Sequence, residues 1–110
     1  MNEEIYLLHA EVCKTLANPK RLEILNCLRE NEMTVNDISK SVGARKANIS
    51  QHLAIMRLKG ILSSRRDGIH IFYRISNPKV IKACDLMREV LIENLSKNEK
   101  IFRRLIKVKV

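Results

Sequence analysis

Residues 34–60, TVNDISKSVGARKANISQHLAIMRLKG, constrain the fold of this chain most strongly. In their first half, Val35, Ile38 and Val42 recur at spacings of three and four, which places them on one face of a helix. Gly43 then marks the end of that helix, because glycine readily adopts the left-handed conformation of a helix C-terminus. These features predict a short amphipathic helix followed by a tight turn.

A second short helix is predicted at about 46–58. Its inner face is expected to hold Ile49, Leu53, Met56 and Ala47. Its outer face is expected to hold Lys46, Asn48, Ser50, Gln51, His52 and Arg57. Amide, hydroxyl and basic groups of this kind hydrogen-bond base edges and phosphates. Two helices joined by a glycine-containing turn thus indicate a DNA-binding helix-turn-helix, although helical hairpins with solvated polar faces also occur in proteins that bind no nucleic acid.

The charge balance favours nucleic acid as the partner. The chain has 21 Lys and Arg against 12 Asp and Glu, a formal net charge of +9 and a sequence pI near 9.8. A domain this basic attracts an acidic partner, most commonly nucleic acid. Aromatic residues make up only 4% and Trp is absent, which disfavours stacking on single strands or RNA and leaves duplex DNA. A membrane surface is the main competitor, but the basic residues are not confined to one amphipathic helix.

Length and hydropathy predict one domain over 1–110, because 110 residues can bury one modest core. No apolar run approaches the ~18 residues of a membrane span. The first residues, MNEEIYLL, are acidic where a secretory signal would be basic. We therefore expect no membrane partner and a cytoplasmic location.

Two further helices are predicted before the helix-turn-helix. The first, about 3–17, carries two adjoining apolar stripes, which is more than one core contact requires. The second opens with Asn18 as N-cap and Pro19 at its first position, and is expected to end near Asn31.

After Gly60 the apolar period changes from that of a helix to that of a strand. Asp67-Gly68 is a two-residue hairpin signal between strands expected at 62–66 and 69–76. The hairpin places three basic residues near its tip: Arg65, Arg66 and His70. Such a hairpin directly after a recognition helix is suited to reach the adjacent minor groove or the phosphate backbone, and a solvated turn is the alternative.

A long last helix is predicted at about 78–96, after the Asn77-Pro78 pair. Its apolar stripe is too long for a domain of this size to cover, so the first and last helices together predict dimerisation. A further basic amphipathic turn is expected after it, fraying at 108–110. Its apolar residues are Ile101, Phe102, Leu105 and Ile106.

The order of helix, helix, helix-turn-helix, β-wing and helix resembles the ArsR/SmtB family of winged-helix repressors. The segments that carry the resemblance are LANPKRLEIL at 16–25, SQHLAIMRLKG at 50–60 and GIHIFYRIS at 68–76. The resemblance covers roughly 5–95. It implies a mainly α fold with a small β-hairpin wing, with the helix-turn-helix at about 34–58 and the wing at about 61–76. It also implies a homodimer formed by the first and last helices, and a prokaryotic transcription regulator that represses until an inducer lowers its DNA affinity.

Carried over by position, the family's base-reading residues fall on Lys46, Ala47, Asn48, Ser50 and Gln51, with His52 nearby. Arg45 stands where a Ser, Thr, Asp or Asn cap is expected, which costs about 1 kcal/mol of helix stability. It also places Arg45 and Lys46 at the phosphate backbone, where positive charge helps binding. A two-fold dimer would present two such helices to successive major grooves of an inverted repeat, about 34 Å apart.

The inducer sites of the family are missing from their usual positions. Thr34 and Asn36 stand where the arsenical sensors carry cysteines. The zinc and cobalt sensors use Asp and His residues on the last helix, whereas this chain has no histidine after His70. The cysteine pair of the persulfide-sensing relatives falls on Asn26 and Ile92. The family's inducers are often a metal ion or a reactive sulfur species, and we expect neither to be required for the fold.

The chain's own thiols leave several alternatives. The odd count and wide spacing of Cys13, Cys27 and Cys84 argue against structural disulfides, and small buried side chains are the simplest interpretation. Cys27 and Cys84 could instead form a displaced thiol pair that senses an inducer. His9 and Cys13 share a helix face and are weak candidate metal ligands, alone or with Cys84 across a dimer; an ordinary helix surface is the alternative.

Other function classes have less support. The sequence shows no Ser/His/Asp or Cys/His arrangement, no phosphate-binding glycine loop and no paired carboxylates in an apolar setting, so we do not expect an enzyme. The remaining alternative is a winged-helix interaction module, independent of thiols and metals, without an inducer site.

Overall fold

The computed structural model describes residues 2–98 and 103–107. The chain forms two compact units, one extending to Pro78 and the other beginning at Lys79. The helices are α1 Glu3–Leu16, α2 Pro19–Cys27, α3 Val35–Val42, α4 Lys46–Leu58 and α5 Lys79–Ser96, and the strands are β1 Met33–Thr34, β2 Leu62–Asp67 and β3 His70–Ile75. Residues 103–107 are also helical. The predicted fold, mainly α with a small β-wing, is confirmed.

Side-chain caps begin α2 and α3, as the sequence predicts. The Asn18 side chain accepts a hydrogen bond from the backbone N–H of Arg21 at 3.1 Å. The Thr34 hydroxyl likewise accepts from the N–H of Asp37 at 3.3 Å. Gly43 ends α3 in the left-handed conformation, with φ 65°. The start of α2 and the two ends of α3 are thus set by local chemistry.

The end of α2 is where the sequence interpretation is wrong. The helix stops at Cys27, and not near Asn31, because Leu28 leaves the helical conformation at φ −89° and ψ 9°. Leu28 remains buried while doing so. Its burial follows the spacing of Ile24 and Leu25, so the inner face of α2 extends to Leu28 although the helix itself ends at Cys27.

The core of the first unit lies between α2, α3, α4 and β2. Its fully buried large side chains are Ile24, Leu25, Ile38, Ile49, Leu53 and Met56, each at 0% exposure. Three of them form the inner face predicted for α4, whereas Ala47, assigned to that face from the sequence, is exposed. A helix with three buried residues at this spacing has one orientation about its own axis, and its opposite face is therefore fixed outward.

The sheet has the order β1-β3-β2 and is antiparallel throughout. Strand β1 pairs Met33 with Tyr73 and Thr34 with Phe72. The sequence gives no sign of this strand, because two residues are too few to show alternation.

The hairpin between β2 and β3 turns one residue later than predicted. Asp67 pairs with His70, so the two-residue loop is Gly68-Ile69 and not Asp67-Gly68. Gly68 has φ 63°, and glycine with positive φ at the first loop position fits a type II′ turn. Ile69 therefore belongs to the loop, where it is 92% exposed, and not to the strand.

Helices α1 and α5 both expose apolar side chains. On α1 these are Ile5, Tyr6, Leu7 and Leu8, and on α5 they are Leu86, Met87, Val90, Leu91 and Ile92. Leu105 and Ile106 are exposed as well, whereas Ile101, Phe102 and 108–110 lie outside the described residues. Within the described ranges, no helix combines the length and apolar character needed to cross a membrane.

Candidate nucleic-acid interface

The outward face of α4 is polar and unengaged. Lys46, Asn48, Ser50 and Gln51 are exposed, opposite the buried face of the helix. Within residues 2–98 and 103–107, the structure gives these four side chains no hydrogen bond or ion pair. Their donors and acceptors are therefore available to a partner. Ala47 adds a small exposed apolar surface, of the kind that contacts a thymine methyl group.

The turn before α4 is held by its own residues. The Ser39 hydroxyl donates to the carbonyl oxygen of Ala44, and the Ala44 N–H donates to the Ser39 carbonyl at 3.2 Å. Lys20 of α2 donates to the carbonyl of Val42 at 3.3 Å, which satisfies one open carbonyl at the end of α3. These bonds fix where α4 begins relative to α3.

The first turn of α4 has no side-chain cap. Arg45 occupies the N-cap position and makes no capping hydrogen bond, as predicted. The first N–H groups of a helix lack intrahelical partners and lie at the positive end of its dipole. Together with the exposed Arg45 and Lys46, they form a surface suited to a phosphate group.

His52 differs from its neighbours because it is half-buried and already hydrogen-bonded. Its Nδ1 accepts from Nε of Arg21 at 3.1 Å. Burial lowers the pKa of His52 below its ordinary value of 6.5, and the positive charges of Arg21 and Lys20 lower it further. The imidazole is therefore neutral at pH 7. The sequence interpretation placed His52 outward and missed Arg21.

Arg57, on the last turn of α4, points toward the sheet. Its Nη1 donates to the Ser64 hydroxyl of β2 at 3.3 Å. Both side chains lie at the surface, so this bond joins helix and wing without withdrawing Arg57 from solvent.

The wing carries two neighbouring arginines in different situations. Arg65 pairs with Glu32, with its Nε 2.9 Å from Oε2, and its guanidinium lies 4.6 Å from the centre of the Phe72 ring. The Arg65 hydrogen bond lowers the pKa of Glu32 below its usual 4.5. Arg66 is exposed, and the described part of the chain gives its side chain no partner. His70 is exposed and lies 6.3 Å from Phe72 between ring centres.

The cysteines do not form one cluster. No disulfide joins them, and Cys13 is exposed, so the prediction of a buried side chain is wrong there. Cys27 is partly buried, with its Sγ 3.4 Å from Sδ of Met33, and Cys84 is partly buried on α5. His9 and Cys13 are both exposed on α1. Among the described residues, no three His, Cys, Asp or Glu side chains are grouped as a metal site would require.

Two residues at this surface were not found from the sequence. Arg21 lies within the segment 16–25, where its spacing marks it only as an outward helix position. Glu32 precedes a strand that the sequence does not reveal. Its ion pair with Arg65 joins residues 33 positions apart, and nothing local predicts it.

Comparison with known proteins identifies relatives that match most of the chain. Residues 18–64 match the model of the arsR family of bacterial regulatory proteins. The uncharacterized HTH-type transcriptional regulator Rv0081 of Mycobacterium tuberculosis is 38% identical over 96 residues, which cover 86% of this chain and 84% of Rv0081. The transcriptional repressor PagR of Bacillus anthracis is 42% identical over 72 residues, covering 64% of this chain and 72% of PagR.

The solved structures agree. The crystal structure of Rv0081 superposes with a TM-score of 0.78 at 37% identity, covering 88% of this chain and 98% of that one. The solution structure of the homodimeric winged helix-turn-helix DNA-binding domain Mb0332 from Mycobacterium bovis gives a TM-score of 0.78 at 29% identity, covering 88% and 93%. This chain therefore belongs to the arsR family of bacterial regulatory proteins and is a winged helix-turn-helix, DNA-binding transcription regulator.

Proposed function

We propose that the protein is a homodimeric repressor that binds an inverted repeat in duplex DNA and leaves it when an inducer acts. In this proposal 1–110 is a single winged-helix domain whose task is binding, not catalysis. Its ligand is bacterial chromosomal DNA, so the proposed location is the cytoplasm. The residues proposed to contact DNA are Arg45, Lys46, Ala47, Asn48, Ser50, Gln51, His52, Arg57, Arg65, Arg66 and His70.

The observation that carries the proposal is the two-sided character of α4. Ile49, Leu53 and Met56 are fully buried, which fixes the helix in the core, and the opposite side presents unengaged amide and hydroxyl groups. Side chains that are free to bond but held by a rigid backbone are what base recognition requires, since phosphate contacts alone carry no sequence information. The net charge of +9 supplies the sequence-independent attraction.

The apolar surfaces of α1 and α5 support dimerisation. Met87 is 70% exposed, and four consecutive residues of α1, from Ile5 to Leu8, are exposed too. Exposed apolar patches of this kind mark protein interfaces. The M. bovis relative Mb0332 is described as homodimeric. We propose that a second copy of the chain covers these helices, which would present two copies of α4 to one face of the duplex.

In vitro selection of bound duplexes, with sedimentation of the free protein and of the complex, tests the proposal. We expect a dimer and a palindromic consensus whose half-sites are about 34 Å apart, one helical turn. In a transcription assay, protein bound at that sequence should lower transcript yield. A monomer, a consensus without two-fold symmetry, or a rise in transcription would each contradict the corresponding part.

For the inducer, we propose the thiols Cys13, Cys27 and Cys84 as the positions where a reactive sulfur species or a soft metal ion acts, with His9 as a further metal ligand. Polysulfide, or Zn²⁺, Cd²⁺ or Cu⁺, added to the bound dimer should release DNA. Replacing the responsible cysteine with serine should abolish the release. If all three single Cys→Ser variants release DNA like the wild type, no single thiol is the site where the inducer acts. If no agent releases the wild type, the protein is a regulator without such a site.

A further inference from the structure

One side chain, Arg21, joins three helices beneath the DNA-binding surface. Its Nη1 donates to the carbonyl oxygen of Thr15 near the end of α1 at 2.9 Å. Its backbone N–H bonds to the Asn18 cap of its own helix. Its Nε donates to Nδ1 of His52 on α4 at 3.1 Å. Arg21 therefore fixes the His52 ring from within the protein.

The chemistry of the two groups decides where the imidazole carries its proton. A guanidinium has only donors, so the ring nitrogen that bonds to it has to act as an acceptor. Nδ1 of His52 is therefore without a proton, and in a neutral ring the proton lies on Nε2. The bond to Arg21 thus selects one of the two neutral tautomers.

The same contact opposes the charged form of the ring. Protonation at Nδ1 would bring an N–H against the guanidinium and remove the hydrogen bond. The charged groups that act on His52 are Arg21 and Lys20, both on α2, and the α1 group that meets the same guanidinium is the neutral Thr15 carbonyl. Both charges are positive, so His52 remains a neutral donor at physiological pH.

We propose that Arg21 is a positioning residue for DNA binding, and that it holds His52 as the Nε2–H tautomer so that the recognition helix offers this N–H to a phosphate oxygen. The inference rests on the proposed function, and it assigns a DNA phosphate as the partner of one proposed contact residue, His52. His52 directly follows the exposed Gln51 but is half-buried, so it lies at the edge of the outward face, where a helix in the major groove approaches the backbone.

A neutral donor has a distinct signature in binding. The salt dependence of DNA affinity counts the positive charges that replace condensed counterions at the phosphates. A neutral N–H bonded to a phosphate adds affinity for every sequence without adding to that count. His52 should therefore differ from an exposed arginine such as Arg66, whose removal lowers both affinity and salt dependence.

Two variants at His52 separate its two hydrogen bonds. His52→Asn keeps an oxygen near Nδ1 that can accept from Arg21 but has no donor at the Nε2 position. His52→Gln places an amide N–H near the Nε2 position and gives up the bond to Arg21. We expect His52→Asn to weaken binding about two- to tenfold for all sequences, with an unchanged salt slope. His52→Gln should be weakened less. Equal affinity of His52→Asn and the wild type would overturn the inference.

The tautomer is measured on the free protein by long-range ¹H–¹⁵N correlation of the His52 ring. We expect a pyridine-like Nδ1 and a protonated Nε2 in the wild type at pH 7. In Arg21→Met, which removes the donor, we expect a mixture of tautomers, a higher His52 pKa, and DNA binding that becomes more sensitive to salt as pH falls from 7.5 to 6. A wild-type ring protonated on Nδ1 would overturn the inference, as would an Arg21→Met ring identical to the wild type.

The NMR and DNA-binding measurements test the His52 tautomer and the proposed DNA binding separately. The NMR experiment needs no DNA, so an Nε2–H ring in a protein that binds no duplex would contradict the proposed function while supporting the role of Arg21 in setting the tautomer. Thermal unfolding of each variant shows whether it folds. If Arg21→Met does not fold, the comparison of His52→Asn with His52→Gln, which leaves Arg21 in place, still decides the phosphate contact.

Discussion

The recognition helix α4 and the wing are both polar and exposed, but they differ in how far their side chains are already engaged. On α4 the outward amides and hydroxyls are unengaged within the described residues, while the backbone is fixed by three fully buried side chains. On the wing the backbone is fixed mainly by strand pairing, and Arg65 is bound to Glu32 and stacked on Phe72. If both regions contact DNA as proposed, α4 would supply specificity on a rigid support, and Glu32 would compete with phosphate for Arg65 on the wing.

The largest expected difference between the two regions is in stability. Leu53→Ala removes a fully buried side chain of α4 and should lower the free energy of unfolding by about 2–5 kcal/mol. Ile69→Ala, at the wing tip, removes a side chain that is 92% exposed and should change it by less than about 0.5 kcal/mol. Urea unfolding of both variants measures this. If the two variants lost comparable free energy of unfolding, the wing tip would be packed as tightly as α4, which would contradict the difference between the two regions.

The next effect is on DNA recognition. Gln51→Ala should cost about 1–3 kcal/mol at the preferred sequence and relax the preference at particular base pairs. Arg66→Ala should weaken binding to all sequences alike and reduce the salt slope by about 1 per protomer. Titrations against the selected site and a scrambled duplex at four salt concentrations separate the two outcomes. A base-specific loss from Arg66→Ala would assign sequence reading to the wing.

A smaller effect, of opposite sign, is expected at Glu32. Glu32→Gln removes the carboxylate that competes with phosphate for Arg65, so affinity should rise a few-fold for all sequences and the salt slope should steepen. Glu30→Gln makes the same charge change two residues away and serves as the control. Equal gains from both variants would show that only the net charge matters and that Arg65 is not restrained.

The smallest effect is in the pH dependence of stability. The pKa of His52 is lowered below 6.5, so its contribution is complete above that pH and declines as pH falls from 6.5 through the folded value. The pKa of Glu32 is lowered below 4.5, so the wing ion pair loses its contribution only in more acidic solution. Melting temperatures are measured from pH 8 to 3 for the wild type, His52→Gln and Glu32→Gln. The difference between the wild type and His52→Gln should shrink as pH falls below 6.5, whereas the difference between the wild type and Glu32→Gln should shrink only below about pH 4.5. A difference for Glu32→Gln that disappears near pH 6 would contradict this assignment.

Local and periodic features of this chain could be read from its sequence. The spacing of Ile49, Leu53 and Met56 predicts the buried face of α4, and the caps Asn18 and Thr34 predict where α2 and α3 begin. Such signals are local because they depend on neighbours within one or two helical turns. Charge and the order of elements predicted the class of partner.

The features that were missed depend on contacts between distant parts of the chain. The bonds of Arg21 to His52 and of Glu32 to Arg65 span 31 and 33 residues. Neither arginine differs in sequence pattern from an ordinary surface arginine. Strand β1 exists because β3 offers it an edge, and no local pattern in the sequence marks the early end of α2 at Cys27. The DNA contacts themselves remain predictions.

Thr34 performs two tasks with one residue. Its backbone belongs to the sheet, opposite Phe72, and its hydroxyl starts α3. The sheet and the helix-turn-helix therefore meet at one residue, with no spacer between them. A single residue inserted after Thr34 would disrupt either the pairing of β1 with β3 or the cap of α3. When a new recognition surface is grafted onto this scaffold, the number of residues between β1 and α3 therefore has to stay the same. Insertions and deletions are better placed at the hairpin tip around Gly68.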